Sequence, residues 1–376
     1  MKMGWQTKPF EDCIESVKYT RKIQRKDFLV DGQFPIVSQE AEFTNGYWDD
    51  EADVFKVSTP VVIFGDHTQV LKYVDFDFVL GADGVKILPP RDFLRPKFFF
   101  YQLQAANFTS LGYARHYRLL KGLEIKCPPL AEQQRIVGLL DEAFEGLTTA
   151  KANAEKNLQN ARALFESHLQ SVFADQWQTY ELVTLADLAT DITDGDHMPP
   201  PKSPTGVPFI TIGNIVKETR EIDFSDTFMV PRAYFDALKP YKKPRQGDVL
   251  YTVTGSFGIP VIVRDDAEFC FQRHIGLIRP KPDTSSSWLY YLLLSPQLLK
   301  QANDGATGTA QKTVSLKLLR SFVVPKVASK QQKQAVEKFD ALSEETQRLA
   351  RLYERKLALL AALKKSLLHQ AFSGNL

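Results

Sequence analysis

The sequence predicts an α+β protein in which two related mixed α/β segments alternate with two long helices that pair with each other. Three observations carry that prediction. Two Pro-free stretches, 199 residues apart, repeat one another: Ser167-His168-Leu169-Gln170-Ser171-Val172-Phe173 aligns with Ser366-Leu367-Leu368-His369-Gln370-Ala371-Phe372. Both stretches carry apolar heptads. The regions between them mix short β-rich runs with Gly and Pro turns and repeat weakly. At 376 residues the chain is long enough for more than one core. A composition of 44% hydrophobic and 24% charged residues is that of a globular protein.

Residues 1–128 form the first globular segment. Thr59–Gly65 reads as a buried strand, Val85–Pro90 as another, and Phe98–Leu103 as an aromatic helical run. Residues 129–176 form the first helix. Ile136, Leu140, Ala143, Leu147, Ala150, Ala154, Ala161 and Leu164 recur at steps of three and four, with Asn157 at one seam position.

Residues 177–325 form the second globular segment. Gly247–Val253, Ile275–Pro280 and Leu289–Leu294 stand where the three runs of the first segment stand. Residues 326–376 form the second helix, with Ala335, Phe339, Leu342, Leu349, Tyr353, Leu360, Leu363 and Leu367 on its seam and Thr346 and Lys356 among them. The alignment sets Ala154 against Tyr353 and Ala161 against Leu360, a small seam and a large one suited to close packing. Upstream, Gln133-Gln134-Arg135 matches Gln331-Gln332-Lys333 at an offset of 198.

Charge supports the pairing. The first helix segment holds 4 basic and 7 acidic residues and the second 10 and 5, whereas the globular segments balance at 17 and 17 and at 16 and 16. The competing arrangement is two amphipathic helices, each packed on its own domain. Against it, each stretch of about 43 residues reaches roughly 64 Å, more than a globular helix needs.

Several functions are disfavoured. A formal net charge of +2 excludes nucleic-acid binding by bulk basicity and leaves local patches open. No apolar run approaches the roughly 20 residues of a membrane span, and the N-terminal residues lack the apolar core of a secretory signal. Cys13, Cys127 and Cys270 lie too far apart for a metal knuckle or a disulfide framework, which fits a reducing cytoplasm. The six histidines (67, 116, 168, 197, 274 and 369) show no metal-ligand spacing, so no metal site is expected. Gly305–Thr313 resembles a P-loop only until Gln311, where the motif requires Gly. The Pro-Pro pairs stand in LPPR, CPPL and MPPP contexts, unlike the adenine-methylation loop. No catalytic residue is expected.

Local cations remain as candidates for contacts with DNA phosphates, and Arg also reads guanine edges. The run at 18–26 holds Lys18, Arg21, Lys22, Arg25 and Lys26 without an acid, and the run at 239–245 holds four cations, Lys239 and the candidates Lys242, Lys243 and Arg245. Lys202, Arg115, Arg118, Arg273 and His274 are further candidates. Polar turns after equivalent strands add His67 and Thr68 in one copy and Ser256 in the other, and the loop at 308–313 adds Gln311 and Lys312. The plain readings are solvated surface for the runs and ordinary strand-ending turns for the loops.

Cys127-Pro128-Pro129-Leu130-Ala131-Glu132-Gln133-Gln134-Arg135-Ile136-Val137 and Leu367-Leu368-His369-Gln370-Ala371-Phe372-Ser373-Gly374-Asn375-Leu376 resemble the "PPLxEQxxIV" and "LLxxAFxGxL" patterns of the specificity (S) subunit of type I restriction-modification systems. The resemblance spans nearly the whole chain. At the start of the second helix, Val324–Gln332 matches the first pattern only in part.

The resemblance implies two target recognition domains, each reading one half of a bipartite DNA sequence. It implies long helices that pair as an antiparallel coiled coil, act as a spacer and dock two methyltransferase (M) subunits. Leu140, Leu147, Leu164, Phe173, Phe339, Leu349, Leu360, Leu367 and Phe372 are the expected helix-helix or docking residues. The S subunit is expected to be non-catalytic and without a cofactor. S-adenosylmethionine would reside on M, which methylates adenine N6, and restriction (R) subunits would cleave in this host-defence system. Dissimilar globular segments imply an asymmetric target. Two rival readings are a self-contained DNA-modifying enzyme and a coiled-coil scaffold without a DNA role.

Overall fold

A computed structural model describes residues 5–82, 84–106, 108, 112, 114–198, 200–309 and 311–374. Asn375 and Leu376 of the terminal motif, and Ala310 of the 308–313 loop, lie outside the described residues. The chain divides into two units, one made of residues 1–156 and 353–376 and the other of 157–352. Two helices, α3 (Leu130–Thr179) and α9 (Ser329–Ser373), each contribute to both.

In the first unit, β1 (Gln6–Pro9) pairs antiparallel with β10 (Glu124–Cys127). The mixed sheet β2 (Lys22–Ile23), β3 (Phe34–Val37), β4 (Gly46–Trp48), β5 (Val54–Phe55) and β8 (Phe78–Gly81) stands beside a three-stranded sheet with the order β7-β6-β9. In the latter, β6 (Val61–Gly65) is central between β7 (Leu71–Val74) and β9 (Val85–Leu88), and all five of its residues are buried. Helices α1 (Pro96–Ala105) and α2 (Tyr117–Lys121) complete the unit.

The second unit repeats this plan. Here β11 (Leu182–Thr184) pairs with β21 (Val323–Pro325) as β1 pairs with β10. The central strand is β17 (Val249–Thr252), between β20 (Ile275–Pro280) and β18 (Pro260–Ile262), with β12 (Ala189–Asp194) beyond β20. A short helix α4 (Leu185–Leu188) leads into β12. A second sheet joins β16 (Phe228–Val230), β13 (Val207–Ile210) and β19 (Cys270–Phe271), and β14 (Ile215–Val216) forms a small hairpin with β15 (Glu221–Ile222). Helices α5 (Arg232–Ala237), α6 (Ser286–Leu293), α7 (Pro296–Gly305) and α8 (Leu316–Arg320) follow in chain order.

The repeat extends to side-chain chemistry. The Gln133 amide accepts from Arg95 N (2.8 Å) and donates to the carbonyls of Phe93 (2.9 Å) and Pro128 (2.8 Å). The Gln332 amide accepts from Ser285 N (2.7 Å) and donates to the carbonyls of Asp283 (3.2 Å) and Val327 (2.7 Å). Both are buried, so each amide is held only because all three bonds form. The equivalence is therefore 133 with 332, an offset of 199, and the expected 198 was one residue off. Asp141 accepts from the Tyr101 hydroxyl and from Lys97, and Asp340 accepts from the Tyr291 hydroxyl at 2.6 Å. The partly matching start of the second helix thus keeps the amide clamp of the first.

The helix partners within each unit come from opposite ends of the two long helices. In the first unit, Ile136 and Leu140 of α3 share a core with Leu368, Ala371 and Phe372 of α9, and Phe372 meets Phe98 edge-on at 5.2 Å. In the second, Phe173 of α3 stacks on Phe339 of α9 at 5.5 Å and lies 6.4 Å from Trp288. The start of one helix thus pairs with the end of the other, so the pair is antiparallel.

The seam departs from the expected heptad in both helices. Leu164 is 51% exposed and Leu363 47% exposed. Asn157 and Lys356 also face solvent. Leu158, Phe165, Leu169 and Phe173 turn inward on α3, and Leu357, Leu360, Leu367 and Leu368 on α9. An α-helix has 3.6 residues per turn, so a strict 3.5-residue seam drifts around it; two successive steps of four, Ala150–Ala154–Leu158, cancel the drift. The same slip at Tyr353–Leu357 shows that it belongs to the repeat. Leu140 and Thr346 are buried, and Leu147, Leu349, Leu360 and Leu367 are half-buried.

Candidate nucleic-acid interface

Each unit gathers its polar turns at one end of its central strand. In the first unit, β6 ends at Gly65 and β9 begins at Val85, so the turns on either side of the sheet meet there. Asp66 organises them. Its N–H donates to Gly84 O (2.6 Å), its carbonyl accepts from His116 N (2.7 Å), and its carboxylate accepts from Tyr117 N (2.7 Å). Gln39 links a third loop, its side-chain oxygen accepting from His67 N (3.2 Å) and its carbonyl from the Thr68 hydroxyl (2.5 Å). Gly84 has φ +74°, a conformation that favours glycine, and a Cβ there would stand 2.3 Å from Gln39 Oε1 and displace that side chain. Lys72, buried, donates to the carbonyls of Glu42 and Phe43 and to Asn45 Oδ1, fixing the loop that carries Gln39. Burial pushes its ammonium down to about 8.

The cationic run at 18–26 is strung along an edge. Lys22 and Ile23 form β2, parallel to β8, and Ala82 N donates to Ile23 O. Arg25 and Lys26 therefore lie at the loop end, where Arg25 meets Glu40 at 2.8 Å. Lys22 sits over the Tyr19 ring at 5.1 Å, Arg21 stands 3.7 Å from Asp53, and Lys18 is exposed further back. Thr68, Arg115 and Arg118 are exposed at the loop end and His67 is half-buried.

In the second unit, Thr252 ends β17 and Ile275 opens β20 beside it. Val253 N donates to His274 O (2.9 Å), Val314 N to Val253 O (2.8 Å) and Gly255 N to Lys312 O (3.1 Å). The Thr252 hydroxyl donates to Ser256 O (2.8 Å) and accepts from Ile259 N (3.0 Å). Arg273 N donates to Asp196 O (3.1 Å), which brings in the turn after β12. The bond from Val314 N to Val253 O repeats that from His116 N to Asp66 O, so the two loop clusters are equivalent. Ser256, Arg273, Gln311 and Lys312 are exposed on this end and His274 is half-buried.

The second cationic run does not form one patch. Lys242 turns to Gly195 O (3.4 Å) and Asp196 (4.0 Å), and Lys243 donates to Asp236 O (3.0 Å) over the Phe235 ring. Arg245 lies near Asp248, at the opposite end of β17 from Thr252. Lys202 sits over Phe228 at the edge of the second sheet. Charge counting overlooked the acids and amides of these ends: Gln39, Glu40, Asp66, Asp194 and Asp196, with His197 bonded to Asp194 at 2.8 Å. Their only sequence signal was position after a strand. Carboxylates repel phosphate but accept from cytosine N4, and amides read adenine. The mixed charge suits reading base edges more than wrapping a backbone.

Among the described residues no His/Cys/Asp/Glu group could hold a metal ion, and no helix is long and apolar enough to cross a membrane.

The family model described as type I restriction modification DNA specificity domain matches residues 2–158 and 175–354. The chain is 22% identical to the type I restriction enzyme EcoBI specificity subunit of Escherichia coli, over 86% of this chain and 78% of that one. A shorter match, 29% identical over 36% of this chain and 37% of the relative, is to the EcoR124I/EcoR124II specificity subunit of the same organism. Among solved structures, a chain from work on assembly and conformational transition of the type I R-M system is similar at TM-score 0.74 and 20% identity, covering 100% of this chain and 99% of that one. The HsdS subunit from Thermoanaerobacter tengcongensis is similar at TM-score 0.60 and 20% identity, covering 100% and 98%.

Proposed function

This chain belongs to the type I restriction-modification DNA specificity family, and from that membership we propose that it reads an asymmetric, bipartite duplex-DNA target in the cytoplasm and directs two methyltransferase subunits and the restriction subunits to it. The observation that carries the reading is the pair of equivalent loop clusters with unlike residues. His67, Thr68, Arg25 and Arg115 stand at one, and Ser256, Arg273, Gln311 and Lys312 at the other. Equivalent platforms with different side chains read different half-sites, as paired DNA readers do. The long helices set the gap between half-sites and dock the methyltransferases, which bring S-adenosylmethionine. Lys242 and Lys243, already engaged within the fold, contribute less to DNA than Arg25, Arg273 and Lys312.

The test is DNA binding by the chain assembled with its methyltransferase. Charge reversal at Arg25 and Lys26, or at Arg273 and Lys312, should weaken binding and reduce the slope of log K against log salt by about 0.9 per lost phosphate contact. Assembly should survive. Unchanged binding and unchanged slope in both double variants would contradict the assignment of these loop ends.

A further inference from the structure

The internal repeat exposes a place that is filled in one unit and, among the described residues, open in the other. In the second unit α7 follows α6 and delivers Gln301 to the outer edge of β21. The Gln301 amide donates to Val323 O (2.9 Å) and accepts from Val323 N (2.7 Å), closing that strand edge as a further strand would. Val323 is the counterpart of Glu124, which likewise opens the strand leading to its long helix.

In the first unit residues 106–116 join α1 to α2, where residues 294–315 join their counterparts, and the described part of that shorter connection carries no helix. Phe10 N donates to Leu123 O, as Leu185 N donates to Phe322 O. By the alternation of an antiparallel ladder, Glu124 then turns its N–H and C=O away from β1. They face a cavity of about 280 Å³ whose lining includes Gln102, Ala105, Ala106, Ile125 and Phe372. Gln102 is 8% exposed, and both polar atoms of its amide are buried without a partner. A buried carboxamide without a hydrogen-bond partner destabilises the fold that holds it, so the unpartnered Gln102 amide beside this strand edge points to a partner that arrives.

We propose that this cavity receives a helix of a partner protein that presents a side-chain carboxamide to the Glu124 peptide and to Gln102, as α7 presents Gln301 to Val323 within the second unit. The strand edge, with the buried Gln102 amide beside it, matches polypeptide chemistry. The methyltransferase subunit is the first partner to test, and that arm rests on the function proposed above.

Hydrogen exchange at the Glu124 amide, in the full chain, reads the site directly. In complex with the methyltransferase it should slow at least tenfold, and Gln102→Leu, which keeps the apolar volume, should reverse most of that slowing. A synthetic peptide of this chain's residues 294–306 should slow the same amide when added to the chain alone, and its Gln301→Leu form should not. If the methyltransferase assembles while Glu124 exchange is unchanged and the peptide has no effect, the site is overturned and the proposed function stands. If no methyltransferase assembles, the proposed function fails, and the peptide decides the site by itself. Slowing by duplex DNA alone would overturn a protein occupant.

Discussion

At the scale of residues, a few buried polar groups hold the loop ends in place. Gly84→Ala forces a side chain into the left-handed region and against Gln39, so it should cost about 1–3 kcal/mol and loosen the Gln39–His67 loops. Denaturant unfolding with hydrogen exchange at His67 and Thr68 measures both effects. Gln133→Ala removes the partner of Arg95 N and of the Phe93 and Pro128 carbonyls, and Gln332→Ala removes that of Ser285 N and of the Val327 carbonyl, while Asp283 O keeps the Ser329 hydroxyl; each should cost about 2–4 kcal/mol. Lys72 makes a pH-dependent contribution. Folded it titrates at about 8, and unfolded near 10.5. Between those values the unfolded chain binds more protons, so stability rises with pH, by at most about 1.4 kcal/mol per unit. Lys72→Met should abolish that rise, and an unchanged pH profile would contradict the assignment.

At the scale of elements, the sequence made the order of segments, the repeat and the strand counterparts legible. The runs at 59–65 and 247–253 contain β6 and β17, and those at 85–90 and 275–280 contain β9 and β20. Such strands are short apolar runs bounded by turn residues, a local signal. The seam was legible only for its first few turns, because a heptad drawn on paper hides the drift of a real helix and both alternatives at 164 and 165 are apolar. Leu164→Ala should therefore change stability by less than about 0.5 kcal/mol, whereas Leu169→Ala, at 3% exposure, should cost about 2–5 kcal/mol. Equal effects in thermal unfolding would restore the strict heptad. The loop ends were half legible. Strand-ending turns marked His67, Thr68 and Ser256, but the partnership of Gln39 with His67 joins residues 28 apart through a side chain that no charge pattern distinguishes. The cations at 242–243 read as one patch with Arg245 because sequence shows their charge and not the carbonyls, ring and carboxylate that engage them.

At the scale of the whole molecule, the first unit is completed by the far end of the chain and the second by the end of the helix that leads into it. Phe372 closes the core begun by Phe98, and Phe173 closes the one that holds Trp288. Removing residues 367–376 should thus destabilise the first unit selectively, visible as loss of exchange protection at Ile136 and Leu140 with the second unit unaffected. Four residues inserted after Gln159 lengthen the helix by about 6 Å and should change the preferred gap between half-sites. The central claim is a bipartite, asymmetric DNA specificity, and the host's N6-methyladenine methylome with and without this gene tests it most directly. Deletion should erase one asymmetric two-part motif and leave every other motif intact; a methylome identical in both strains, with the methyltransferase expressed and active, would contradict the account.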